Sequence, residues 1–227
     1  PVLITHDGRA LSETMAIAAH LEARDTERRV SFEPGSAQAD RMHQLMAFLN
    51  TGFTAAFAPL WVAMELASPD PAYQAALRRF GRDAVVRRHD QLEAMLDGTP
   101  WLAGERRTIA DGLLAGVARW LEFHEVADIA RWPRLQALRR HVEADPAVVY
   151  ATALEKGETP QGSGNCLGQL PLAEVVSRFG RQGSSPSDDC RSCWPAASRR
   201  SGRRSRCCSR RSNHSPPQCR TPASCRR

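Results

Sequence analysis

The residues that most invite a chemical reading stand late in the chain. Cys190-Arg191-Ser192-Cys193, with Cys207, Cys208, His214, Cys219 and Cys225, offers thiolates and an imidazole of the kind that hold zinc. A structural zinc site usually shows two clean pairs at fixed spacing, and only one Cys-x-x-Cys is present, so no metal is expected. The serine-arginine run at 198–206 can attract phosphates. It has no interleaved aromatic on which a base could stack, so only non-specific attraction to polyanions is expected. Earlier in the chain, Ser12-Glu13-Thr14 reads as the start of a helix with an acid placed for the helix dipole.

Thr108 and Asp111 form the most explicit local signal. Thr108 can cap a helix, and Asp111 three residues later can reach back to the cap's own N–H. Such a cap contributes on the order of 1 kcal/mol. The helix it opens carries Ile109, Leu113, Leu114, Val117, Trp120 and Leu121 at helical spacing, with Ala110, Gly112, Ala115, Gly116 and Ala118 on the other side. A helix apolar or small nearly all round should be buried on most sides, as far as Phe123.

The elements around it follow in order. Val2-Leu3-Ile4-Thr5 is a β-branched run, His6-Asp7-Gly8-Arg9 is a turn of the Asp-Gly type, and Leu11 ends a second short strand. Ser12 then caps a helix to about Arg24. A hairpin and one helix cannot close a core alone. Residues 25–36 read as a connector. A long helix follows from Ala37 to about Leu66, with an apolar stripe at Met42, Leu45, Met46, Leu49, Phe53, Phe57, Leu60, Trp61 and Met64, and a bend at Gly52 and Pro59. After the break at Ser68-Pro69-Asp70-Pro71, the residues Tyr73, Leu77, Phe80, Val85, Leu92 and Met95 mark a second long helix. Trp132-Pro133-Arg134-Leu135 and Asp145-Pro146-Ala147-Val148 open the closing helices.

Trp101-Leu102-Ala103-Gly104 followed by Thr108-Ile109-Ala110-Asp111 resembles the sixth helix of cytosolic glutathione S-transferases. Pro1-Val2-Leu3, the Asp-Gly turn, Leu11-Ser12-Glu13-Thr14 and the helix beyond are similar to the second half of that family's thioredoxin-like domain. Phe48-Leu49-Asn50 with Phe57-Ala58-Pro59-Leu60-Trp61 looks most like the bacterial beta class. The resemblance implies a mainly α fold, a helical bundle preceded by a partial β-β-α unit. It divides the chain into a partial glutathione-binding domain at 1–24, a linker at 25–36, an all-helical domain at 37–155 and a tail at 156–227.

It also implies a co-substrate, glutathione, and a small electrophile attacked by its thiolate, in a cytoplasmic protein that is a homodimer if the small domain is complete. The glutathione contacts would fall to Pro1, at the position of a family proline that follows a cis peptide bond, and to Glu13 and Thr14. Thr54 stands where the beta class often places a histidine, and Thr54, Phe57 and Trp61 are candidates for the substrate pocket. Phe53, Phe57 and Trp61 also suit a core or a dimer interface. The Tyr, Ser or Cys that acts on the sulfur belongs to a strand and helix ahead of Pro1, so no catalytic residue is expected in this sequence. A non-catalytic scaffold that kept the fold is the alternative, and an arginine-rich nucleic-acid binder is a third.

Charge divides the chain at the same place. Residues 1–156 balance to −3 and residues 157–227 to +9, so the basic character belongs to the tail. No cysteine precedes Cys166, so no disulfide supports the core. No run of 18 apolar residues and no basic-then-apolar leader is present, so neither a membrane span nor secretion is expected. The last 71 residues hold only seven large apolar side chains, too few to offset the entropy of ordering. Disorder is expected there, apart from a turn of helix at Leu172 to Phe179.

Overall fold

The structure, a computed structural model, describes residues 1–67, 70–161 and 171–179. The expectations of zinc ligands, of a basic run and of disorder fall mostly on residues 162–170 and 180–227, which lie outside the described residues.

Strand β1 (Val2–Ile4) pairs antiparallel with β2 (Ala10–Ser12), Leu3 opposite Leu11. The turn closes with Gly8 N–H donating to the Thr5 carbonyl at 2.8 Å and Thr5 N–H to the Arg9 carbonyl at 2.9 Å. Gly8 takes a φ of 81° while Asp7 does not go positive, so this is a three-residue loop with glycine in the left-handed position. Asp7 is held by the Thr5 hydroxyl at 2.5 Å and by Arg9, which together pull its carboxyl down to about 2.

Helix α1 (Thr14–Glu22) starts one residue later than a Ser12 cap would have started it. Ser12 is still the last residue of β2, because Glu13 turns the chain with a φ of 69° and ψ of 120°. The connector is pinned rather than loose. Asp25 accepts from the N–H groups of Arg29 and Val30 and from the Ser31 hydroxyl. Val30 in turn accepts the Ile109 N–H at 2.9 Å, and Arg106 binds the Arg28 and Ser31 carbonyls while lying over the Phe32 ring.

The expected bent helix is three pieces: α2 (Ala37–Phe48), a π-helical turn (Leu49–Phe53) and α3 (Ala58–Glu65). Ser36 caps the first with its side chain. Pro59 has no N–H for the carbonyl four residues back, so the helix restarts with proline in its first turn. The threonines of the break help close it, Thr51 bonding the Ala47 carbonyl and Thr54 the Leu49 carbonyl, both at 2.7 Å. By length and apolar composition, Ala37–Glu65 is the one run among the described residues that could cross a membrane. Its stripe from Met42 to Leu60 is nevertheless buried against the rest of the bundle.

Helix α4 (Pro71–Met95), capped by the Asp70 side chain, runs along α3. The contact is close at Gly81, where a side-chain carbon would stand 2.7 Å from Leu60 Cγ. Helix α5 (Ile109–Ala118) opens with the expected Thr108–Asp111 box, and a short α6 (Trp120–Phe123) continues it. A 3-10 turn (Ile129–Arg131), α7 (Pro133–Glu143) and α8 (Pro146–Glu155) close the bundle. Helix α9 (Leu172–Phe179) lies beyond.

Several expected core residues are exposed: Met64, Tyr73, Phe80 and Phe123. Each sits on an apolar period but on a flank that its neighbours leave largely uncovered among the described residues. Gly112 and Gly116 are exposed too, with nothing within 4 Å of where a side-chain carbon would stand. The central helix is therefore buried on one broad side and open on its glycine side.

Candidate functional site

That open side is one wall of a groove of about 830 Å³. Its other walls come from α1 through Thr14, Ile17 and Leu21, from α2 and the π turn through Met46, Asn50 and Thr54, and from α8 through Val148. The lining is mostly apolar with a few polar groups, the usual make-up of a small-molecule site. Arg107 Nη1 donates to both Asp145 carboxylate oxygens at 3.0 Å, and Glu155, paired with Arg119, adds a second charge at the margin.

Of the residues singled out in the sequence, Pro1, Thr14, Thr54, Thr108 and Asp111 all line this groove. Glu13 stands next to Thr14 on the exposed corner ahead of α1. Phe57 and Trp61 stand elsewhere. Phe57 is fully buried between His89, Trp120 and His124, and Trp61 stacks on the exposed Phe123 ring at 5.2 Å.

The chemistry open to each polar group follows from its existing bonds. Thr54 spends its hydroxyl proton on the Leu49 carbonyl, so it faces the groove as an acceptor only. Thr108 spends its proton on Asp111 Oδ2 at 3.0 Å. The Asp111 carboxylate also accepts the Thr108 N–H at 2.7 Å and the Leu102 N–H at 2.8 Å. Burial pushes its pKa up, against the pull of those three bonds. Both residues are thus committed to structure.

The corner at Glu13 differs. Its side chain makes no capping bond to the first N–H groups of α1, which have no partner within their own helix. A non-glycine residue at φ 69° and ψ 120° is strained, and such strain persists where the surrounding structure over-determines it, often at a ligand site. One carboxylate and one positive helix end stand side by side, which suits a group carrying both an ammonium and a carboxylate.

Two residues carry weight that the sequence did not suggest. Asn50 lines the groove with a side-chain amide that can both donate and accept. The only sequence signal was its place in Phe48-Leu49-Asn50. His89 lies fully buried between Phe53 at 4.5 Å and Trp132 at 4.7 Å, with Nδ1 on the Val85 carbonyl at 2.8 Å. A lone histidine in a long helix gives no such signal.

The family model for the glutathione S-transferase C-terminal domain matches residues 58–146. Among solved structures, a glutathione transferase from Methylococcus capsulatus strain Bath is 31% identical, with 66% of this chain and 70% of that chain covered and a TM-score of 0.58. A glutathione transferase homologue from Lodderomyces elongisporus, solved with two glutathiones per subunit, is 25% identical over 64% of this chain and 67% of its own, with a TM-score of 0.56. The bacterial beta class glutathione S-transferase of Sphingomonas chungbukensis shares the fold at 23% identity, over 66% of this chain and 71% of its own, with a TM-score of 0.56. A search of curated proteins returns no match.

Proposed function

We propose that this chain, which belongs to the glutathione S-transferase family, binds glutathione at the Glu13–Thr14 corner and offers the adjoining groove to a small electrophile. The strained Glu13 beside an uncapped helix start is the observation that carries this reading. The γ-glutamyl end of glutathione bears one ammonium and one carboxylate. Glu13 accepts from the ammonium. The first N–H groups of α1 and the Thr14 hydroxyl donate to the carboxylate. Asn50 lines the same groove and offers its amide to the rest of the peptide. The apolar wall of α5 takes the electrophile, and conjugation is attack by the glutathione thiolate.

A thiolate needs a donor to stabilise it. Of the groove hydroxyls, those of Thr54 and Thr108 have spent their protons, and Thr14 is assigned to the carboxylate. This favours a second reading, in which the described residues bind glutathione with little turnover, as a scaffold would. Calorimetric titration with glutathione tests the common part. E13A is expected to weaken binding about 10-fold or more, as loss of a charged hydrogen bond does, and T14A about 3- to 10-fold. Equal affinity in all three proteins would remove the corner from the site.

The division into a partial glutathione-binding unit at 1–24, a linker at 25–36 and a helical domain at 37–155 belongs to the same reading, as do a cytoplasmic location and a role in detoxification. So does a homodimer. Val62, Tyr73 and Phe80 expose large apolar surface on α3 and α4, with Phe80 61% exposed. Such residues mark association surfaces when they fall together. F80D is expected to shift sedimentation from dimer to monomer at micromolar concentration without loss of helicity. A wild-type protein that sediments as a monomer would refute the dimer.

A further inference from the structure

We infer that α9 is an intramolecular strap that holds β2 and, through it, the Glu13–Thr14 corner. A two-stranded hairpin is marginal by itself and needs a packing partner to persist. Helix α1 supplies one such contact with β2, and α9 supplies another. Val175, in the middle of α9, is only 7% exposed. The sequence repeats an apolar residue at Leu172, Val175, Val176 and Phe179, the spacing of a helix with one apolar side, on which Val175 is buried and Val176 is partly open. The Glu174–Arg178 pair at 3.0 Å is an i,i+4 ion pair of the kind that supports a short helix. The family match ends at residue 146, so α9 lies outside the matched domain.

The link to the site is one residue long. Glu13 follows directly on Ser12, the end of β2, and precedes the first residue of α1. Its strained backbone is held only while both neighbours stay fixed. Releasing α9 loosens β2, lets Glu13 relax, and separates its carboxylate from the helix start. The effect on ligand binding rests on the glutathione reading given above; the hold of α9 on β2 does not.

Hydrogen exchange on the full chain tests the strap without any ligand. V175D places a charge on the buried side of α9, and S177P breaks the helix without adding charge. Both are expected to speed exchange of the amides at 2–12 about 10-fold or more, with those of α4 and α5 unchanged. V175I, which keeps the apolar contact, is expected to exchange as the wild type does. Unchanged exchange at 2–12 in both V175D and S177P would overturn the inference. Retention on glutathione-agarose is the second readout, expected to fall with V175D and S177P. A wild-type chain that is not retained would sink the glutathione reading, while the exchange result would still decide the strap.

Discussion

D111A is expected to destabilise the folded chain by about 3–5 kcal/mol, among the largest effects of any single substitution on the α5 side of the molecule. The figure follows from what the carboxylate does. Oδ2 takes the Thr108 N–H and hydroxyl, and Oδ1 reaches back nine residues to the Leu102 N–H. Asp111, Thr108 and Leu102 are all buried, so water cannot replace the lost acceptor. Two backbone donors left unpaired cost about 1–3 kcal/mol each, to which the lost helix cap adds. Single domains are stable by only about 5–15 kcal/mol, so the variant should melt well below the wild type. D111N keeps one accepting oxygen and should recover part of the loss. Thermal or urea unfolding checks both, and a D111A protein with an unchanged midpoint would show that the box holds nothing.

The box was legible in the sequence because it is local chemistry. A threonine and an aspartate at i and i+3 satisfy one another whatever else the chain does. The Leu102 bond was not legible, since it depends on how the preceding turn folds back. The same divide runs through the rest of the fold. Pro59 announces that the long helix must break, because the missing N–H is a property of one residue. The π turn at Leu49–Phe53 could not be read, since it involves the Thr51 and Thr54 hydroxyls closing on the Ala47 and Leu49 carbonyls and Gly52 lying against Arg88 of α4. Periodicity put Tyr73 and Phe80 on an apolar side, but no pattern within one helix says whether a neighbour covers that side. Gly112 and Gly116 were expected to be packed, because small residues in an apolar helix usually permit close approach, and they instead form the open wall of the groove. The strain at Glu13 leaves no trace in the sequence at all, since glutamate is an ordinary residue for the first turn of a helix. The resemblance supplied Glu13 and Thr14 as a pair; the backbone supplies the reason to look at them.

The second large effect is a loss of stability in weak acid, centred on His89. Its imidazole is enclosed by Phe53, Phe57 and Trp132, and burial is the main reason that its pKa falls from 6.5 to about 4. The bond to the Val85 carbonyl and the charges of Glu122 and Asp90 pull the other way, while Arg139 adds to the fall. The folded state therefore keeps His89 neutral where the unfolded chain takes up a proton. Stability from this group is complete above pH 6.5 and is lost as the pH drops towards 4, by about 2–3 kcal/mol at pH 4.5. His124, also lowered by burial, has the same sign, and Asp111, raised by burial, has the opposite one. The carboxyls of Asp7 and Asp25, lowered to about 2, act only further down the scale. The contribution of His89 is thus the difference between wild type and H89F, whose ring fits an aromatic surround and carries no proton. Urea unfolding at pH 7.5 and pH 4.5 should show the wild type losing about 2–3 kcal/mol more than H89F between the two. Parallel losses in both proteins would mean that His89 is protonated in the fold, and that the aromatic sandwich holds an imidazolium.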